Sequence, residues 1–229
     1  MDGRLPKLPQ EMITGIRFDA YSFEGLIRTC TQWILDKGHC RQVVFANAFT
    51  AVLCSGNAKF ATVCSQSDLV IADGTSIILV SQTIGKQALC RIPGPDFMHE
   101  MIRNGAEHGM RHYFLGSVSQ YYLDRLLTVV KGLAPADHPI EADGFCPPFG
   151  EWPEDLNTEI IDRINAFKPD IVWVGVGGPK QDMWIAKNKE RLACSYAMGV
   201  GAAFDFESGR VKRAPKWIRK VGWNGSTVW

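Results

Sequence analysis

The 229-residue chain lacks the apolar segments that would carry it into or across a membrane. No run of about 18 apolar residues occurs, so the pattern predicts no membrane-spanning helix. The N-terminal stretch MDGRLPKLPQEMITG contains no apolar core of the kind that a secretory signal peptide needs. We therefore expect a cytoplasmic protein, and contact with a membrane surface stays open.

Excess charge and paired cysteines are also missing. The 25 Lys and Arg residues nearly balance the 24 Asp and Glu residues, so no global field that would attract nucleic acid is expected. The seven cysteines are odd in number, include no Cys-x-x-Cys pair and lie mostly in apolar runs. This usage predicts reduced thiols in a reducing compartment and no metal site.

What the chain does contain is a regular alternation of strand-length and helix-length segments. The strand candidates are QVVFAN (42–47), DLVIAD (68–73), HYFLGS (112–117), PIEADG (139–144), DIVWVGVGG (170–178) and SYAMGVG (195–201). Segments 22–37, 95–108 and 154–167 carry helix start signals and helical spacing. The alternation predicts an α/β fold, Rossmann-like and doubly wound, with a mainly parallel sheet. We assign residues 1–210 to this single domain and residues 211–229 to a short basic and aromatic C-terminal tail.

Polar and glycine residues at the ends of these runs are the candidates for ligand binding, because open parallel sheets bind ligands beyond the carboxyl ends of their strands. The densest segment is GVGGPKQDMW, residues 175–184. Its glycines permit close approach of the backbone, and Pro179 suits the start of a helix whose free N–H groups can hold a phosphate. A tight turn with a solvated face explains the pattern equally well. The segment matches neither the Walker pattern nor G-x-G-x-x-G, so ATP hydrolysis and dinucleotide binding are not expected.

Asp73, which follows an apolar run and precedes Gly74, admits three interpretations. It could cap a helix that begins at residue 75, bind a metal ion or act as a general base. No second carboxylate lies close in sequence, which argues against the metal ion. Position alone favours the cap.

The segment GVGAAFDFESGRVKRAP, residues 199–215, is a further candidate. Gly199 and Gly201 permit close approach, and Arg213 could face a phosphate. A helix cap at Asp205, or an internal salt bridge between Asp205 and Arg213, is the simpler interpretation.

Five motifs follow one another along the chain: Asp73-Gly74 after a strand, RIPGPDF (91–97), YFLGS (113–117), GVGGPKQDMWI (175–185) and GVGAAFDFESGRVKRAP. In this order they resemble the WecG/TagA/CpsF family of bacterial glycosyltransferases, family 26, over about residues 12–222. The resemblance implies an enzyme at the inner face of the plasma membrane that moves a sugar from a UDP-sugar to a saccharide on undecaprenyl diphosphate. It also implies inversion to a β-linkage without a metal ion or other cofactor, and it allows self-association. Such enzymes build cell-surface or exopolysaccharides.

The resemblance assigns roles by position. Asp73 matches the catalytic base, Arg91 an arginine near the diphosphate or acceptor, and Asn47 an asparagine at the first strand end. The expected substrate-binding residues are Gly74, Gly116, Gly177, Gly178, Pro179, Lys180, Gln181, Asp182, Gly199, Gly201, Asp205 and Arg213. The need for only one base removes the objection that Asp73 has no acidic partner.

Three departures from the family pattern stand out. Asp182 replaces the usual glutamate. Phe45 stands where many mannosaminyltransferases have threonine, which favours glucose or another hexose over N-acetylmannosamine as the transferred sugar. KVGWNGSTVW ends the chain where the family continues with a basic tail. The alternative to an enzyme is therefore a nucleotide-sugar-binding or assembly protein that is inactive without that tail.

Overall fold

The computed structural model describes residues 9–35, 38–85, 89–134 and 137–213. Two short strands, β1 (Gln10–Ile13) and β2 (Ile16–Asp19), form an antiparallel hairpin. The other six form one sheet: β3 (Arg41–Ala46), β4 (Leu69–Ala72), β5 (Arg111–Gly116), β6 (Glu141–Phe145), β7 (Ile171–Gly175) and β8 (Tyr196–Gly199). Their order is β4-β3-β8-β7-β5-β6, and every pairing is parallel. The predicted parallel α/β fold is confirmed, and each of the six strand candidates overlaps one strand.

Helices connect the strands and cover both faces of the sheet. They are α1 (Phe23–Leu35), α2 (Ala48–Gly56), α3 (Ala58–Gln66), α4 (Thr75–Ile84), α5 (Gly94–Ala106), α6 (Gln120–Lys131), α7 (Glu154–Phe167), α8 (Lys180–Asn188) and α9 (Gly201–Glu207). A 3-10 turn, Lys189–Arg191, follows α8. None of the helices within the described ranges is long and apolar enough to cross a bilayer.

Strand β7 illustrates why the sheet is buried on both sides. Ile171 and Trp173 pack into the core beneath α1, α5, α6 and α9, whereas Val172 and Val174 pack beneath α7 and α8. All four side chains have no measurable exposure. An apolar side chain at every position is the pattern expected of a parallel strand covered by helices on both faces. The loops and helix starts that follow the strands meet at the carboxyl edge of the sheet.

Most of the predicted tail falls beyond the part of the chain that the structure describes. Only residues 211–213 of the segment 211–229 are included. Residues 214–229 lie outside the described residues, so the division at residue 210 stays a prediction.

Candidate functional site

The predicted site residues lie along the carboxyl edge of the sheet in two neighbouring groups. The first group, at the ends of β3 and β4, contains Asn47, Asp73, Gly74, Arg91 and Arg213. The second lines a cleft of 1230 Å³ at the ends of β5 to β8 and contains Gly177, Gly178, Pro179, Lys180, Gln181, Gly201 and Asp205. Gly116, Asp182 and Gly199 lie behind the cleft wall. Strands β4 and β7 are three spacings apart in the sheet, or about 14 Å.

Asp73 is held by contacts to its backbone and its carboxylate. Its N–H donates to the carbonyl oxygen of Ala46 at 2.9 Å, and its carbonyl oxygen accepts from Nε of Arg91 at 2.8 Å. The N–H of Gly94, at the start of α5, donates to the carboxylate. The other carboxylate oxygen, Oδ1, is buried and has no hydrogen-bond partner among the described residues. One carboxylate oxygen of Asp73 is therefore held by Gly94, and the other is left unpaired among the described residues.

Burial raises the pKa of Asp73 from 3.8 to about 6. The positive charges of Arg91 and Arg213 and the hydrogen bond from Gly94 oppose this increase, and the negative charge of Asp96 adds to it. A carboxylate with a pKa near 6 is ionised at neutral pH and is a stronger base than an exposed aspartate. A buried, half-satisfied carboxyl at a strand end is the strongest sign of a functional site on this edge.

The capping interpretation of Asp73 is wrong. The residue at the cap position of α4 is Gly74, and no side-chain cap hydrogen bond is made there. A side chain that does cap is Asn47, whose Oδ1 accepts from the N–H groups of Phe49 and Thr50 at 3.0 and 3.2 Å. The two helix starts touch, because a Cβ on Gly74 would lie 2.9 Å from Cβ of Asn47. A glycine is therefore needed after Asp73 for β3 and β4 to end side by side.

The predicted ion pair between Asp205 and Arg213 is also wrong. Asp205 accepts two hydrogen bonds from Arg210, at 2.6 and 2.7 Å. Arg213 instead pairs with Asp96 in the first turn of α5, at 2.8 Å. Its Nε and Nη2 atoms are buried and have no partner within the described part of the chain. Because its charge lowers the pKa of Asp73, Arg213 belongs with the Asp73 group rather than with the cleft.

The cleft is bordered by a loop that the sequence reasoning did not single out. Residues 146–152, CPPFGEW, follow β6 and form one wall. Phe149 is fully exposed in this loop. Nζ of Lys180 lies 4.1 Å from the centroid of the Trp152 ring and also donates a hydrogen bond to the carbonyl oxygen of Gly150. Proline, glycine and aromatic residues directly after a strand were the available signal. The loop gives the cleft apolar and aromatic surface next to a cation.

Another part of the cleft wall is built on the first turn of α8. Gly177 has a positive φ of 84°, and Pro179 precedes the first helical residue, as the sequence predicted. The N–H of Gln181 donates to the carbonyl oxygen of Gly177 at 3.0 Å, which folds the glycine turn onto the helix. The start of α8 therefore faces the cleft, and a helix start favours negative charge. No cluster of three or more metal-binding side chains occurs within the described ranges.

Comparison with known proteins identifies the family of the chain. The sequence model of the glycosyl transferase WecG/TagA/CpsF family matches residues 11–225. The chain is 28% identical over 184 residues to an N-acetylglucosaminyldiphosphoundecaprenol N-acetyl-beta-D-mannosaminyltransferase of Bacillus spizizenii. The aligned region covers 80% of this chain and 68% of the relative. It is 27% identical over 186 residues to a protein of the same name from Staphylococcus aureus. That aligned region covers 78% of this chain and 67% of the relative. The chain therefore belongs to the WecG/TagA/CpsF family of glycosyltransferases.

Proposed function

We propose that the protein is an inverting glycosyltransferase that moves a hexose from a UDP-sugar to a saccharide carried on undecaprenyl diphosphate. The observation that carries the proposal is the carboxyl group of Asp73. It has a pKa of about 6 and one buried oxygen without a partner among the described residues. It also lies on the same sheet edge as a cleft large enough for a nucleotide sugar. An inverting displacement needs a single base and a bound donor, and both can be placed along this edge of the sheet.

In the proposed reaction, Oδ1 of Asp73 takes the proton of an acceptor hydroxyl. The hydroxyl oxygen attacks the anomeric carbon of the donor sugar from the face opposite UDP. The bond from that carbon to the diphosphate oxygen breaks, and UDP leaves with the electron pair. The product is a β-linked glycoside, and Asp73 returns its proton to solvent. Arg91 and Arg213, whose charges lower the pKa of Asp73, keep it ionised until the acceptor binds.

The cleft supports binding of the donor. Its aromatic wall includes Phe149 and Trp152, which offer ring surface to a nucleobase. Lys180 and the start of α8 supply positive charge for a diphosphate. We propose that these groups stabilise the leaving UDP and that the reaction needs no metal ion or other cofactor.

The acceptor class comes from the relatives, whose names specify transfer to N-acetylglucosaminyl diphosphoundecaprenol. We propose an acceptor of this lipid-linked class, reached from the cytoplasmic face of the membrane. The transferred sugar is N-acetylmannosamine, glucose or a related hexose. The protein would then act as a peripheral enzyme in the synthesis of a cell-surface polysaccharide.

The test combines a donor panel with one substitution. The protein is incubated with UDP-hexoses and a short-chain prenyl diphosphate that carries N-acetylglucosamine, and products are identified by mass spectrometry. We expect one donor to be transferred. Asp73→Asn should lower the rate by about 10²- to 10⁴-fold, the usual contribution of a general base, and leave UDP binding unchanged.

Asp162→Asn is the matched control, since Asp162 lies on the exposed side of α7. It should transfer at the rate of the unmodified protein. Full transfer by Asp73→Asn would overturn the assignment of the base. Binding of UDP without transfer to any acceptor would favour a nucleotide-sugar-binding protein instead.

A further inference from the structure

Two helices that begin beside Asp73 carry no charged side chain. Helix α2 has the sequence AFTAVLCSG and α4 has the sequence TSIILVSQTI, and neither contains Asp, Glu, Lys, Arg or His. Every other α-helix within the described ranges contains at least one of these residue types. A helix on the surface of a soluble protein ordinarily carries charged residues on its outer side. The surroundings of α2 and α4 must therefore differ from those of the other helices.

Both helices expose apolar side chains. Val52 on α2 is 69% exposed, and Leu79 and Ile84 on α4 are 58% and 74% exposed. The hydroxyl groups next to them bond within their own helix, since Oγ of Ser55 donates to the carbonyl oxygen of Val52 and Oγ1 of Thr83 donates to that of Leu79, each at 2.7 Å. Hydroxyl groups paired in this way need no water. The outer sides of these helices are thus compatible with an apolar environment.

The exposed apolar residues of the two helices belong to one side of the sheet. The inner sides of α2 and α4 pack on the same core cluster, which includes residues of both β3 and β4. Their starts meet, because Asn47 and Gly74 are in contact. Val52 and Leu79 each lie about 7.5 Å further along their helices, at 1.5 Å per residue. We refer to the outer sides of α2 and α4 as the α2–α4 face.

The proposed acceptor indicates what this face contacts. The isoprenoid chain of the acceptor lies in the bilayer. Only a diphosphate and a saccharide separate that chain from the hydroxyl that Asp73 would deprotonate, so the surface next to Asp73 must approach the lipid. Apolar side chains with no charge among them can enter the boundary between headgroups and acyl chains without the desolvation of an ionic group.

We propose that the α2–α4 face docks on the lipid bilayer, with Val52, Leu79 and Ile84 inserted below the headgroups, and that this docking brings Asp73 to the lipid-linked acceptor. The inference rests on the proposed function, which supplies the acceptor. Since α2 and α4 carry no basic residue, the attraction is apolar. It differs in this respect from contact through a basic segment, which needs anionic lipid and weakens with salt.

Vesicle flotation measures the docking directly. The protein is mixed with vesicles of phosphatidylcholine alone, or of phosphatidylcholine and phosphatidylglycerol, at about 0.1 M and about 1 M NaCl. We expect binding to both kinds of vesicle and retention of binding at the higher salt. The double substitution Val52→Glu and Leu79→Glu should weaken binding by about tenfold or more, because it removes apolar contact and places two carboxylates at the boundary.

Leu35→Glu is the matched control. Leu35 is 70% exposed and ends α1, directly before β3, so it lies towards the amino edge of the sheet and away from Asp73. This variant should bind vesicles as the unmodified protein does. Equal loss of binding in Leu35→Glu and in the double variant would overturn the assignment of the α2–α4 face.

A transfer assay with two acceptors separates docking from folding. With an acceptor on undecaprenyl diphosphate in vesicles, the double variant should be slower than the unmodified protein by about the factor lost in vesicle binding. With a short-chain, water-soluble acceptor, the two proteins should transfer at the same rate. A double variant that is slowed equally on both acceptors would overturn the role of the face in docking.

The remaining outcomes distinguish other partners of this face. Binding to anionic vesicles only, with release at the higher salt, would assign the contact to basic residues and overturn the proposal. So would a dimer that the double variant separates while its vesicle binding stays unchanged, because the face would then join two copies of the chain. Vesicle binding that depends on this face, without transfer to any acceptor, would overturn the proposed function and leave the docking surface in place.

Discussion

Replacing Asp73 with asparagine should slow transfer by about 10²- to 10⁴-fold and stabilise the protein. The substitution keeps the size of the side chain and an acceptor for the N–H of Gly94, and it removes the buried negative charge. The pKa of Asp73 rises from 3.8 to about 6 on folding. At 1.36 kcal/mol per unit, ionisation of this group lowers the free energy of unfolding by up to about 3 kcal/mol. This figure already includes the attraction of Arg91 and Arg213, which lowers the pKa of Asp73.

The sign of the effect depends on pH. A carboxyl group with a raised pKa favours the folded state most when it is neutral, so its stabilising contribution is complete below about pH 4. That contribution is lost as the pH rises through about 6. Asparagine does not titrate, so the variant avoids this loss. We expect Asp73→Asn to gain about 1–3 kcal/mol over the unmodified protein at pH 7.5, with the difference closing towards pH 4.

Urea unfolding at pH 7.5 and pH 4.5, together with the transfer assay, measures both effects. The control is again Asp162→Asn, in which neither stability nor transfer should change. A loss of stability by Asp73→Asn at pH 7.5 would refute the claim that burial dominates the energy of this carboxyl. A variant that is more stable and still active would refute its role as the base.

Three other predictions test the surroundings of the site. The rate of transfer should increase with pH through about 6 as Asp73 ionises. Arg213→Met should move this increase to higher pH, because it removes a positive charge that lowers the pKa of Asp73. A pH profile that does not move would refute the electrostatic effect of Arg213 on the base. Gly199→Ala should weaken binding of the UDP-sugar by about tenfold or more, because the new Cβ would overlap Gln181 and Asp182. The control is Gly56→Ala, whose new Cβ meets no atom within 4 Å and which should bind the UDP-sugar normally in the same titration. Transfer should persist after dialysis against EDTA, and a rate that returns only on adding Mg²⁺ or Mn²⁺ would contradict the metal-independent mechanism.

The strands of the sheet were readable in the sequence because burial on both faces requires a run of apolar residues. Strands β3, β4 and β7 have this pattern, and the other three overlap the expected runs. Helices α2 and α3 were not predicted. In α2 the sequence AFTAVLCSG is apolar almost throughout although only Thr50 is buried, so no helical period marks one face. The N-terminal hairpin, with two strands of four residues, was too short to stand out.

The candidate site could be located from the sequence, but its contacts could not. The position of Asp73 at a strand end follows from the apolar run before it. Whether its side chain caps a helix depends on where the chain turns, and the turn at Gly74 leaves the carboxylate outside the cap position. In the same way, the choice between Arg210 and Arg213 as partner of Asp205 depends on how the chain leaves α9. These are tertiary outcomes that spacing along the chain does not encode.

Two buried carboxyl groups on one edge of the sheet have raised pKa values for the same physical reason, and their surroundings indicate different roles. Asp73 lies between arginines, and its free oxygen is unpaired in the described structure, so it can accept a proton from a substrate. Asp182 has no arginine or lysine among the groups that set its pKa, and it contacts an amide that lines the cleft. A carboxylate that moves protons needs access to substrate, whereas a carboxyl group that packs behind the cleft wall acts on the site only through its neighbours. Substituting Asp73 should therefore change the rate of transfer, whereas substituting Asp182 should change binding only through the packing of Gln181 against Gly199.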